Sequence, residues 1–148
     1  MAIDYGTKAI GVAVSDELQL TVRPLTTIRR EKLKKIEVIE RLGSLIAEHE
    51  IATLVVGLPL NMDGSHGEAA KRVERFLARL QRRLSVPIIT IDERLTSYEA
   101  DQILREIGVG EQQRRARSDE YAAMIILQDY LDAQSRIKTV ETPPSPSL

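Results

Sequence analysis

Apolar positions recur at two different spacings along this chain, and the switches between them outline its elements. Short apolar runs at Ala2-Ile3 and Ile10–Val14 flank a Tyr5-Gly6-Thr7-Lys8 turn, which predicts a β-hairpin. Asp4 ends the first run, at the mouth of that hairpin, and Gly6 supplies the backbone freedom the reversal needs. Thr21–Ile28, with Val22, Leu25 and Ile28, reads as a third strand antiparallel to the second. Pro24 within it implies a sheet edge or a bulge. The spacing then lengthens to three and four residues. Leu33, Ile36, Ile39, Leu42, Leu45 and Ile46 alternate with charges and predict an amphipathic surface helix.

The rest of the chain repeats this alternation. Thr53–Val56 predicts a strand ended by Gly57-Leu58-Pro59, and Leu60–Gly67 has the composition of a loop. Glu68–Leu84 predicts a helix with Val73, Phe76, Leu77 and Leu80 inward and Lys71, Arg72, Arg75, Arg79, Arg82 and Arg83 outward. Val86–Ile91 reads as a strand buried on both faces, ending in Asp92-Glu93-Arg94. Ser97 is expected to cap a helix that Gly108 stops near Ile107. Gly110–Ser118 reads as a polar, basic loop, and Ser118-Asp119-Glu120 as the start of a final helix. From Arg136 to Leu148 proline and serine predict a disordered tail, leaving residues 1–135 as one domain.

Three antiparallel strands followed by two that enter through helical crossovers predict an α/β fold: a mixed five-stranded sheet flanked by helices on both faces. That is the layout of the ribonuclease H-like fold. The length of 148 residues suits a single core and is too short for the two domains of an actin-like ATPase, the other chemistry an Asp-x-Gly-Thr hairpin would serve. The absence of cysteine excludes disulfides and thiolate metal sites, and two histidines alone, at 49 and 66, argue against a classical zinc site. The composition fits a reducing cytoplasm, and no apolar run approaches the roughly 20 residues of a membrane span.

The candidate chemistry lies in acids at equivalent ends of elements. Asp4 ends the first strand, Asp92-Glu93 the last, and Asp119 opens the final helix. Sites in open sheets form beyond the carboxyl ends of the parallel strands. Converging carboxylates repel each other, and a divalent cation relieves that repulsion. Phosphodiester hydrolysis uses such a cation. Each acid alone has a plainer reading: a turn Asp, a surface Glu93–Arg94 pair, an Asp119 that serves only the helix dipole. Arg114, Arg115 and Arg117, in the loop before Asp119, are the candidates for holding a phosphate backbone. The arginines of the Glu68–Leu84 helix read instead as a solvated face. With 3% aromatic residues, base stacking is minor. Asn61, in the Gly57–Gly64 stretch at a strand end, is a candidate phosphate-loop residue, and His66 a possible proton carrier.

These segments resemble the YqgF/RuvX family of pre-16S rRNA nucleases and Holliday junction resolvase-like proteins. The matching stretches are Asp4–Lys8 with Ile10–Asp16, Val55–Gly64, Asp92–Ser97, and Asp119 with Ala122-Ala123 and Ile126–Leu131, in family order. The resemblance spans roughly residues 1 to 132. It implies a cytoplasmic ribonuclease H-like nuclease with Mg²⁺ or Mn²⁺, Asp4, Glu93 and Asp119 being the catalytic and metal-holding acids. Glu93 is preferred over Asp92 for its longer reach. Gly6, Thr7, Asn61 and Asp92 would support the site, and Lys8 would join the arginines on nucleic acid. RNA is the preferred substrate over a DNA junction. A non-catalytic nucleic-acid-binding module on the same fold is the rival. A monomer is preferred over a homodimer because no apolar face looks spare. The chain departs from the family in its short lead before Asp4 and in Ala9, where a basic residue is common.

Overall fold

The computed structural model describes residues 1–93 and 102–141, with side chains described except at 115, 116 and 137–141. The elements are β1 (Ala2–Tyr5), β2 (Ala9–Ser15), β3 (Val22–Arg29), α1 (Lys35–Glu48), β4 (Leu54–Leu58), α2 (Glu68–Arg83), β5 (Ile88–Asp92), a helical segment over 102–106 (α3) and α4 (Glu111–Glu141). The five strands form one sheet in the order β3-β2-β1-β4-β5. β1, β2 and β3 pair antiparallel, while β4 runs parallel to both β1 and β5. This is the mixed sheet the apolar pattern implies. The proline expectation also holds: β3 is an edge strand, and its register with β2 shifts where Ala13 pairs with Pro24 and Val12 with Thr26.

Two layers cover the sheet. On one face Ile3, Ile10, Val12 and Val56 pack with Val38, Ile39 and Leu42 of α1 and Val73, Phe76 and Leu80 of α2. On the other, Ala2, Ala13 and Val55 meet Ala123, Ile126 and Leu127 of α4. Small residues on the strands let α4 lie close: a Cβ on Gly11 would land on the Asp119 carbonyl. α1 begins with the Glu37 carboxylate accepting from the Lys34 amide at 3.0 Å, which satisfies a donor otherwise left without a partner.

Three sequence expectations need correction. β5 is the other edge strand, and its pattern is half-open, with Ile89 37% exposed, so it is not buried on both faces. Gly110–Ser118 is not a loop, because α4 already starts at Glu111. Glu, Gln and Arg are good helix formers, and neither Gly nor Pro interrupts Glu111–Ser118. The turn lies earlier. Gly108 has φ +81°, its amide donates to the Arg105 carbonyl at 3.1 Å, and the Val109 amide donates to the Leu104 carbonyl at 3.0 Å. These bonds close off α3 as glycine-terminated helices close. Third, α4 continues to Glu141, past the expected boundary at Arg136, because the first helix-breaking residue is Pro143. The expected cap at Ser97 and the residues beyond Glu141 lie outside the described residues.

Candidate active site

The β1–β2 turn is a fixed platform. The Gly6 amide donates to the Ala9 carbonyl at 2.9 Å, and a Cβ on Gly6 would stand 2.6 Å from that oxygen. Arg30 holds the turn from outside. Its Nη1 donates to the Gly6 carbonyl at 2.6 Å and to the Thr7 carbonyl at 3.3 Å. Its guanidinium lies 4.4 Å from the centre of the Tyr5 ring, which in turn stacks on Phe76 at 4.2 Å. Asp4 sits one residue before this clamp, in register with Gly11 of β2.

Two glycines let the other acids approach. Because Gly11 has no side chain, the backbone of α4 at Asp119 lies against β2 directly opposite Asp4. At the end of β4, Leu58 pairs with Asp92, and the Glu93 amide donates to the Leu58 carbonyl at 3.1 Å. The Glu93 carboxyl then folds over Gly57, filling the space a Cβ there would take. It meets Asp4, and the two carboxyls share a hydrogen bond.

Asp4, Glu93 and Asp119 therefore line one cavity of about 290 Å³, together with Tyr5, Gly6, Thr7, Pro59, Ala69 and Arg72. The electrostatics are unequal around it. Burial pushes the Glu93 carboxyl up to about 9, and the nearby Asp4 charge, the bond to Asp4 and the Asp92 charge add to that. Burial likewise raises Asp4 to about 6, against a lowering by the hydrogen bond to Glu93 and a smaller push from Asp119. Burial also raises Asp119, but Arg29 opposes it and Glu120 assists. At neutral pH Asp4 and Glu93 thus hold a proton between them. Among the described residues no three His, Cys, Asp or Glu side chains stand at metal-ligating spacing. The pair touches, while Asp119 faces the same cavity.

The other expected residues are scattered. Gly6 and Thr7 line the cavity, whereas Lys8 lines a neighbouring hollow with Arg30 and Lys35. Asp92 is exposed at the end of β5. Asn61 serves its own loop, its Nδ2 donating to the Ser65 hydroxyl at 2.9 Å and its side chain packing against Gly67. His66 Nδ1 lies 2.6 Å from the Glu74 carboxylate, away from the acids. Arg114 turns inward, its Nη1 donating to the Val109 carbonyl at 2.9 Å. Arg117 lies on α4 with its Nε 3.7 Å from Glu120, and its guanidinium stands 5.1 Å from the Tyr121 ring centre. Neither belongs to a flexible strand-holding loop, and the Arg115 side chain lies outside those described. In their place the structure brings Arg72 of α2 into the acid cavity. The sequence carried a signal for it: Ala69 and Arg72, three residues apart, lie in the opening turns of the helix after the Gly57–Gly64 stretch. That helix start must reach the same rim as the strand ends.

The fold and this cavity define a ribonuclease H-like protein with an acidic centre at its strand ends. Among solved structures, the chain is similar to Thermus thermophilus RuvC in complex with a Holliday junction substrate, with a TM-score of 0.52 at 16% identity, covering 90% of this chain and 92% of that one. A second Thermus thermophilus RuvC structure gives a TM-score of 0.50 at 12% identity, covering 90% and 94%. These likenesses show the fold. Over residues 1–133 the sequence matches the RuvX family, described as Holliday junction resolvase, and the chain belongs to that family. Relatives named "Putative pre-16S rRNA nuclease" include one from Lachnospira eligens, 40% identical over 92% of this chain and 98% of its own length. Another, from Natranaerobius thermophilus, is 46% identical over 90% and 94%.

Proposed function

We propose that this chain is a divalent-metal-dependent nuclease that hydrolyses phosphodiester bonds in structured RNA, acting in the cytoplasm on the 5′ flank of precursor 16S rRNA. The observation that carries the reading is the Asp4–Glu93 contact: two desolvated carboxyls sharing a hydrogen bond, in one cavity with Asp119 and Arg72. Such a pair is relieved by a proton or by a cation, and its hard oxygens fit Mg²⁺ or Mn²⁺. Asp4, Glu93 and Asp119 are the residues to hold the ion. When bound it supplies Lewis acidity and makes water a nucleophile near neutral pH.

The chain's own residues do the rest. Asp4 and Glu93 hold a proton that they would give up on binding such an ion, so activity is expected to rise with pH. Arg72, exposed and lining the cavity, offers a cation to the phosphate entering it. Arg30 and Phe76, through Tyr5, keep the Asp4 turn from moving. The RNA preference comes from the names of the relatives, which match nearly end to end. A DNA junction is the second reading, supported by the family description. The large exposed apolar residues among those described are Leu18, Leu20, Met62, Ile89 and Ile107, and a monomer is the proposed state, which the mass of the protein in solution tests.

The test is cleavage of a precursor 16S rRNA fragment and of a four-way DNA junction, with Mn²⁺ and with chelator. Asp4→Asn is expected to lower RNA cleavage by about a thousandfold or more while RNA binding persists. RNA bound by the wild type but never cut, with any divalent ion, would make the protein a binding module. Unchanged cleavage by Asp4→Asn would remove Asp4 from the mechanism.

A further inference from the structure

We infer that the substrate's phosphate backbone leaves the acid cavity across the α1–α2 face, along a stripe of arginines on α2, and not along the start of α4. The inference rests on the nuclease reading above. Arg72, Arg75, Arg79, Arg82 and Arg83 are spaced three, four, three and one residues apart. At 3.6 residues per turn they fall within an arc of about 100°, over a length of about 16 Å. That length spans a few nucleotides.

An arginine stripe on a helix is ordinarily just a solvated face. Two observations separate this one from that reading. The first is its connection to the acids. Arg72 lines the acid cavity, while Arg79, Arg82 and Arg83 line a cleft of about 300 Å³ against Lys35, Ile36 and Ile39 of α1. Lys35 also lines the hollow that contains Thr7, Lys8 and Arg30, and Thr7 in turn lines the acid cavity. Positive groups thus run from Asp4 to the far end of α2 along α2 itself and also by way of the β1–β2 turn.

The second observation is the lack of compensating acid. Glu74 is taken by His66, and Glu68 lies 3.8 Å from Lys71. Glu31 stands in the Lys8 hollow, but among the described residues no carboxylate lines the α1–α2 cleft. In a chain of net charge −1 this is a local concentration of cations. Among the described side chains at the start of α4, Arg114 is instead turned onto a backbone carbonyl and Arg117 faces Glu120. Guanidinium groups pair with phosphate through parallel hydrogen bonds. With little aromatic surface on the chain, the chemistry fits an RNA backbone read by charge and shape.

The experiment is binding of a fluorescent precursor 16S rRNA fragment in chelator, titrated from about 50 to 200 mM salt, a range over which phosphate binding responds steeply to salt. The combined variant Arg79→Ala, Arg82→Ala, Arg83→Ala is expected to bind at least about tenfold more weakly at 100 mM salt. The slope of log K against log salt should fall by about two, near 0.7 for each phosphate of a single strand that the protein no longer neutralises. The same three positions changed to Lys should keep the slope within about half a unit of wild type. An alanine variant that binds within about twofold of wild type at an unchanged slope overturns the inference. So does a lysine variant that loses as much as the alanine one, since the loss would then come from packing. Binding in chelator is read apart from cutting. A wild type that never cuts, beside an alanine variant that binds weakly, leaves the track standing and removes the nuclease reading.

Discussion

The acid cavity has two unlike sides. The side built from strand ends carries Asp4 and Glu93, half-buried, touching each other and held short of full ionisation. The side built from α4 carries Asp119, whose burial is opposed by Arg29. Its neighbour Glu120 is tied to the Thr27 hydroxyl at 3.0 Å and faces Arg117. The strand side stores electrostatic tension that a proton or an added cation relieves, while on the α4 side Arg29 partly offsets the burial that still raises Asp119. Strands can hold such a pair because the sheet ladder fixes their ends, β1 between two neighbours and β5 against β4 alone.

The largest effect that would sharpen this contrast comes from the two glycines that admit the acids. At Gly11 a Cβ would collide with the backbone at Asp119 and Glu120, which cannot turn aside. Gly11→Ala should therefore destabilise the fold by about 3 kcal/mol or more, read as a lower midpoint in urea unfolding. At Gly57 the Cβ would meet side-chain ends, the Glu93 carboxylate and Ile126 Cδ1. Gly57→Ala should cost less stability, about 1–2 kcal/mol, but displace Glu93 and lower cleavage by about a hundredfold. Equal loss of stability in both variants, with cleavage intact in Gly57→Ala, would erase the distinction between the two sides.

The next effect is the pH dependence of stability without metal. Glu93 ionises near its ordinary value of 4.5 once unfolded, but only at about 9 in the folded protein, because of burial first and then the Asp4 charge. Between those values the folded chain binds more protons than the unfolded one, so stability falls as pH rises. Asp4 adds to the fall from its ordinary 3.8 up to about 6. In chelator the melting temperature should drop from about pH 5.5 to about pH 8.5, a window inside the Glu93 range. Glu93→Gln should flatten that drop, while Asp119→Asn should change it less. Mg²⁺ or Mn²⁺ should restore stability most at the alkaline end, where the pair is free to bind. A flat profile in chelator would mean that the strand side carries no such tension.

Much of this contrast could be read from the residues before any coordinates, and the part that could not has identifiable causes. Strand order, the crossovers and the break at Pro24 follow from apolar spacing and from the missing proline donor. The three acids were legible because each ends or adjoins an apolar element, and elements of this fold have one set of ends in common. The exposure of β5 was not legible, since Ile88, Ile89 and Ile91 make the same run in a central strand as in an edge strand. The start of α4 passes for a loop in the sequence because charge density looks alike in a loop and in a solvated helix, and only propensity separates them. Arg72 is hidden in the sequence for a related reason: its spacing along α2 says which side of the helix it occupies, not what lies opposite. Arg30 became visible only with the fold, because it reaches Gly6 across the β3 edge of the turn.

The smallest effect concerns the two arginines of α4 that a loop reading would have put on the nucleic acid. Arg114 is partly buried, and its donation to the Val109 carbonyl ties the first turn of α4 to the end of the α3 connection. Arg114→Ala removes that bond and leaves the carbonyl to find another donor, which costs about 1–2 kcal/mol of stability. Arg117 makes a long, half-exposed contact with Glu120 and covers the Tyr121 ring, an arrangement worth about 0.5 kcal/mol. Neither change should lower the salt slope of RNA binding, since neither guanidinium points to a phosphate path. Urea unfolding and the chelator binding titration, run on the same two variants, separate the roles. A large stability loss with an unaltered slope for Arg114→Ala, beside a near-silent Arg117→Ala, would assign this side of the cavity to architecture. A slope that falls in either variant would return α4 to the binding surface and weaken the case for α2 as the only path.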